Sequence, residues 1–121
     1  MNDDQDFRFG DGRGTGDDGA VRVFVPKATK TALDLMRIIA RGLRFPAYFG
    51  ESWNALFDCL CDLGWLEERQ VIIVHEGIPE IPAEHLREYL RVLRDAVGSW
   101  EGDSEQHELL VYFPLGAKLP E

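Results

Sequence analysis

Asn54, Asp58 and Asp62 recur at four-residue intervals in the segment Trp53-Asn54-Ala55-Leu56-Phe57-Asp58-Cys59-Leu60-Cys61-Asp62-Leu63, and that spacing could carry chemistry. At about 100° per residue they share one side of a helix, with Asp58 near the middle of the polar face; Trp53, Leu56, Phe57, Cys59, Leu60 and Leu63 take the other side. The residues before them read as a loop. Pro46 biases Phe45 toward an extended conformation, Gly50 permits a tight turn, and Ser52 is a good N-cap for a helix beginning at Trp53. Glu51 beside that N-terminus suits the helix dipole. With Tyr48 presented by the loop, the outcome is an anionic, aromatic-edged surface.

Carboxylates so placed can work as acids and bases or meet a basic partner. For catalysis, Asp58, Glu51 and His75 are the candidates, yet there is no Ser-His-Asp order, nucleophile elbow or phosphate loop, so no catalytic residue is assigned. His75, His85 and His107 form no ligand spacing with each other or with the cysteines, which argues against a metal; no cofactor is implied. Cys59 and Cys61 point to different sides of the helix, so two reduced thiols are expected, with Cys59 in the core.

The chain has 121 residues, 45% of them apolar, with a net charge of -9, which suits one small soluble domain. Residues 20–50 hold six basic residues against one acidic, whereas residues 51–121 hold fifteen acidic against five basic. A domain this acidic repels a phosphate backbone and is drawn to a basic partner. No run approaches the roughly 18 apolar residues of a membrane span, and the acidic N-terminus is unlike a basic signal peptide. A cytoplasmic protein is expected, monomeric when free, with no membrane or direct nucleic-acid partner.

The supporting elements follow in order. Residues 1–19, with five glycines among Asp and Arg, are expected to be a disordered acidic tail, leaving residues 20–121 as the domain. Val21 to Val25 reads as a strand closed by Pro26. Thr31 to Leu43 reads as a helix that buries Leu33, Met36, Ile39, Ala40 and Leu43 and exposes Asp34, Arg37 and Arg41, a solvated face with no nucleic-acid motif. Val71-Ile72-Ile73-Val74 is the kind of run buried on both faces of a parallel sheet. A helix from about Ala83 to Val97, closed by Gly98, buries Leu86, Tyr89, Leu90, Leu93, Ala96 and Val97 and turns Arg91 and Asp95 outward. Leu109 to Phe113, halted by Pro114, is the last strand. This order gives an α/β fold, a single layer of three parallel strands packed with about three to four helices.

Pro46-Ala47-Tyr48-Phe49-Gly50-Glu51, followed by Asn54-Ala55-Leu56 and Asp58-Cys59-Leu60, resembles the central segment of the barstar family of ribonuclease inhibitors, without a gap. Tyr48, Gly50, Ala55, Leu56 and Asp58 match; Ser52 stands where the archetype has Asn, and Asn54 where it has an acidic residue that contacts the enzyme. A weaker match at Arg94-Asp95-Ala96 falls where the family can carry another acidic residue of the inhibitory surface. The resemblance implies a barstar-like fold and an inhibitor of a basic ribonuclease or toxin nuclease, an immunity protein that plugs the active site with loop and helix 46–62. Asp58 would then take the place of substrate phosphate among the enzyme's cations. Tyr48 would supply an aromatic contact, Gly50 a close backbone approach, Asn54 a neutral hydrogen bond and Asp95 a further acid of the inhibitory surface, with Asp62, one turn beyond Asp58, nearer the rim. The alternative is a barstar-like binding or regulatory module with a non-nuclease partner, which Asn54 keeps open.

Overall fold

The computed structural model describes residues 7–12, 19–47, 49–101 and 107–120. Its elements are β1 (Arg8–Phe9), β2 (Val21–Val25), α1 (Ala32–Gly42), α2 (Trp53–Asp62), β3 (Gln70–His75), α3 (Ala83–Trp100) and β4 (Glu108–Phe113). The strands form one parallel sheet in the order β1-β4-β3-β2, so β3, with its apolar run Val71-Ile72-Ile73-Val74, is an inner strand, as that composition requires. The α/β class is as expected, but the sheet has four strands rather than three.

Strand side chains alternate between two faces. Val23, Val25, Val71, Ile73, Leu109, Val111 and Phe113 join the helices in the main core. Ile72, Val74, Leu110 and Tyr112 form a second cluster on the opposite face, with no helical residue in it.

The fourth strand comes from the segment expected to be a tail. Arg8 and Phe9 pair with Tyr112 and Phe113, and the Gly10 N–H donates to the Phe113 carbonyl at 2.8 Å. Phe7 is 3% exposed, its ring centroid 5.3 Å from that of Phe113 and 5.4 Å from the Arg94 guanidinium. Two aromatics suffice because β4 would otherwise present an unpaired edge, and the edge supplies the hydrogen-bonding template. The chain then turns onto the helix-free face. Gly12 has φ +72°, and a Cβ there would lie 2.9 Å from Val74 Cγ2. Ala20 packs on the same cluster before β2 begins. Residues 1–6 and 13–18 of the expected tail lie outside the described residues.

Two helix expectations change. In α1 the buried arc is Leu35, Met36 and Ile39, continued by Leu43, and Leu33, on the flank of that arc, is exposed. Helix α3 does not close at Gly98 but runs to Trp100, whose indole N–H donates to the Leu60 carbonyl at 2.8 Å. Burying an indole outweighs the roughly 1 kcal/mol that a helical glycine costs.

A buried imidazole joins three elements. His75 on β3 lies 2.8 Å through Nδ1 from the Tyr112 carbonyl of β4 and 2.6 Å through Nε2 from the Tyr89 hydroxyl of α3. A carbonyl only accepts, so Nδ1 carries the proton and Nε2 accepts from Tyr89. The ring stacks on Phe113 at 4.0 Å with 7° between planes. Burial lowers the His75 pKa from 6.5 to about 4, against the opposing effect of the Tyr112 carbonyl. Enclosed in this way it cannot reach a substrate as an acid or base.

Two outcomes follow for stability. Phe7→Ala is expected to lower the unfolding free energy by about 3 kcal/mol, the cost of truncating a buried aromatic, where a disordered tail would lose nothing; urea denaturation of the two chains measures it. Because the folded pKa of His75 lies below its unfolded value, the unfolded chain binds the proton first as pH falls. Stability is therefore full above about pH 6.5 and declines toward pH 4, by about 3 kcal/mol from this group. Denaturation midpoints across that range should show the decline, and His75→Asn should flatten it.

Candidate functional site

The loop before α2 is fixed at both ends and in its middle. Helix α1 ends with Arg44 in the left-handed region at φ 56°, the Phe45 N–H closing on the Ala40 carbonyl at 2.8 Å. The Phe45 ring then meets Phe49 at 5.0 Å and Trp65 at 5.7 Å, while the Trp65 indole donates to the Leu43 carbonyl at 2.9 Å. Pro46 starts a turn closed by the Phe49 N–H on its carbonyl at 3.1 Å. Tyr48 lies outside the described residues.

The tight turn expected at Gly50 belongs to its neighbour. Glu51 is the left-handed residue, at φ 55°, and Gly50 is not. A side chain pays for that conformation at a cost of order 1 kcal/mol, and here it is held from outside the loop. Arg37 Nε of α1 donates to Glu51 Oε2 at 2.9 Å, and the carboxylate raises the guanidinium pKa. Ser52 caps α2 by accepting the Ala55 N–H at 3.1 Å, as its residue type implied. The far end of α2 is Leu63, left-handed at φ 53° and fully buried. Its burial, worth about 2 kcal/mol, offsets the strain.

Between these ends Asn54, Asp58 and Asp62 are exposed along one side of α2, while Leu56, Cys59 and Leu60 are buried and Trp53 and Phe57 half-buried. Asp62 Oδ1 accepts the Gly64 N–H at 3.2 Å and so helps finish the helix. Both cysteines are free thiols, with Cys59 buried. Asp95, exposed on α3, comes into the same neighbourhood. Burial pushes the Cys61 thiol pKa up; the Ser99 hydroxyl, at 3.3 Å, opposes this, and both Asp58 and Asp95 add to the rise. Cys61 thus feels the charge of carboxylates from two different helices.

Asp58 and Asp95 make no ion pair among the described residues, and neither do Asp62, Glu67, Glu76 and Glu84. Glu51, Glu68, Glu80, Glu88 and Glu108 each face an Arg or Lys in cis. Asp58 and Asp95 thus keep their hydrogen-bonding capacity turned to solvent. Sequence reasoning missed the Arg37–Glu51 clamp, for which a separation of fourteen residues gives no signal. It also passed over Cys61, whose place three residues after Asp58 on the helix could have pointed to it. Among the described residues no group of three or more His, Cys, Asp or Glu could hold a metal ion.

The family model described as barstar (barnase inhibitor) matches residues 20–113, which takes in β2 through β4 and every residue of this face. No curated protein matches the chain. The N-terminal strand β1 lies outside the matched span.

Because Ser52 supplies the one side-chain cap of α2, Ser52→Ala is expected to destabilise the fold by about 1 kcal/mol. Equilibrium unfolding measures this, with Asp58→Ala, which empties no cavity, remaining within about 0.5 kcal/mol of the parent.

Proposed function

The chain belongs to the barstar family, and from that premise we propose that it is a cytoplasmic inhibitor of a basic ribonuclease or related toxin nuclease. In this reading loop 46–51 and α2 enter the nuclease active site, and Asp58 occupies the place of a substrate phosphate. The observation that carries it is the exposed row Asn54, Asp58 and Asp62 on α2, with Asp95 exposed on α3, inside the span that the barstar family model matches. A site that binds phosphate offers Arg, Lys and His, and a fixed carboxylate accepts their charge-assisted hydrogen bonds without presenting a bond to cleave.

Gly50 supports the same reading. It is exposed and does not adopt a left-handed conformation, and a Cβ on it would meet only Ala55 Cβ at an ordinary 3.8 Å. Nothing in the free fold demands glycine there, whereas close approach of a partner would. Asn54 offers the partner a neutral hydrogen bond in place of a charge, and Tyr48 a rigid aromatic contact. Asp62, already engaged with Gly64, contributes at the rim.

Titrating the chain into RNA cleavage by barnase and other basic ribonucleases tests the reading, with stoichiometric protection expected for the cognate enzyme. Basic ribonucleases that all cleave unimpeded at saturating inhibitor overturn it and favour a non-nuclease partner. Asp58→Ala should weaken the complex by about 2–5 kcal/mol, a range that rests on the archetypal barnase–barstar pair and not on this chain's geometry. Asp62→Ala should cost less than about 1 kcal/mol and act mainly through a salt-dependent association rate. Affinity controlled instead by Arg37 and Arg41, with Asp58→Ala binding like the parent, would move the site to α1.

A further inference from the structure

A line of ring contacts crosses the core from the N-terminal strand to the first turn of α2. Phe7 meets Phe113 at 5.3 Å, and Phe113 stacks on His75 at 4.0 Å. His75 is hydrogen-bonded to Tyr89 at 2.6 Å, and the Tyr89 ring lies 6.1 Å from that of Trp53. Trp53 is the first residue of α2, between the Ser52 cap and Asn54. A branch leaves the same starting point, since the Arg94 guanidinium lies over the Phe7 ring and Asp95 is the next residue of α3. Both helices that present the acidic face are thus linked to one side chain beside the β1 edge of the sheet.

We propose that β1 is a positioning element for this face: Phe7 seats the first turn of α2 through Phe113, His75, Tyr89 and Trp53, and the turn of α3 bearing Asp95 through Arg94. The effect on partner affinity rests on the function proposed above; the brace itself does not. Its physical basis is that close-packed interiors respond to a lost ring by shifting neighbours rather than by deforming evenly. The ring at Phe7 is 3% exposed, so its removal leaves Phe113 free to move, and Phe113 is the surface on which His75 lies. Phe7 stands beside the edge strand β1, whereas α2 packs on α3. Its action on that face runs through other residues.

The test compares Phe7→Ala with Leu66→Ala, a buried position of the same core outside the line of rings, in the full chain. Amide hydrogen exchange is followed at Ala55 and Leu56 in α2, at Asp95 in α3 and at Ile72 in β3. For Phe7→Ala, exchange at Ala55, Leu56 and Asp95 should rise at least about tenfold beyond the change at Ile72, with a shift in Trp53 fluorescence; for Leu66→Ala the rise should follow global stability. Phe7→Leu, which keeps much of the buried volume without the ring, should fall between Phe7→Ala and the parent. Equal patterns in Phe7→Ala and Leu66→Ala overturn the brace whatever the affinity. With barnase or another inhibited ribonuclease as probe, Phe7→Ala should dissociate about tenfold faster at temperatures where it is fully folded. Loosened helices with an unchanged dissociation rate would uphold the brace and count against α2 as the inhibitory element.

Discussion

The rest of the structure depends on a neutral imidazole held between a sheet carbonyl and a helix hydroxyl. A buried polar group costs several kcal/mol unless its hydrogen bonds are made, and His75 makes one from each ring nitrogen. Those two bonds fix more than the ring. The Tyr112 carbonyl belongs to β4 and the Tyr89 hydroxyl to α3, so the distance between α3 and the sheet is set at this point. Tyr89 in turn lies against Trp53, which carries the constraint into α2. Burial pushes the Tyr89 pKa upward, so its hydroxyl keeps its proton and remains the donor that a neutral imidazole needs.

Charge is distributed for a different purpose. The basic segment 20–50 spends its cations on acids from later in the chain: Lys30 on Glu80, Arg37 on Glu51 and Arg44 on Glu68. Exposed pairs of this kind each contribute at most about 1 kcal/mol, so they are a weak source of stability. Their value lies in where they stand, since each ties α1 or its flanking loops to a separate element. Asp58 and Asp62 on α2 and Asp95 on α3 are exposed and make no ion pair among the described residues. Complementary charge of this sort governs association rate and discrimination between partners more than net affinity.

Local chemistry was legible in the sequence, and tertiary constraint was not. The start of α2 followed from Ser52 and the apolar spacing after it, and the exposed row Asn54, Asp58 and Asp62 followed from helical period alone. Strand β3 declared itself because four consecutive apolar residues leave no face for water. Strand β1 was hidden because two residues have no period, and what makes them a strand is the edge of β4 roughly a hundred positions away. Gly12 looked like one more glycine of a tail, although it is required where the backbone meets Val74. The helix stop expected at Gly98 failed for a related reason: the indole of Trp100 reaches α2, and a propensity of about 1 kcal/mol yields to that burial.

Three left-handed residues that are not glycine, Arg44, Glu51 and Leu63, bracket the loop and the helix that follows it. Each is held by something outside its own turn: Arg44 by Glu68, Glu51 by Arg37 and Leu63 by complete burial. Backbone strain persists only where its surroundings over-determine it, and here the reason for accepting it is geometric. A glycine at any of the three would relieve strain but widen the conformations open to the segment. A carboxylate that stands in for phosphate must hold its position without the ordering cost a flexible segment would incur on binding, and affinity rises as that cost is removed beforehand. The strain at Arg44, Glu51 and Leu63 is therefore what a segment preorganised for a rigid partner surface would be expected to contain, and under the function proposed above Asn54, on the same helix, would discriminate between partners by hydrogen-bond geometry where charge is absent.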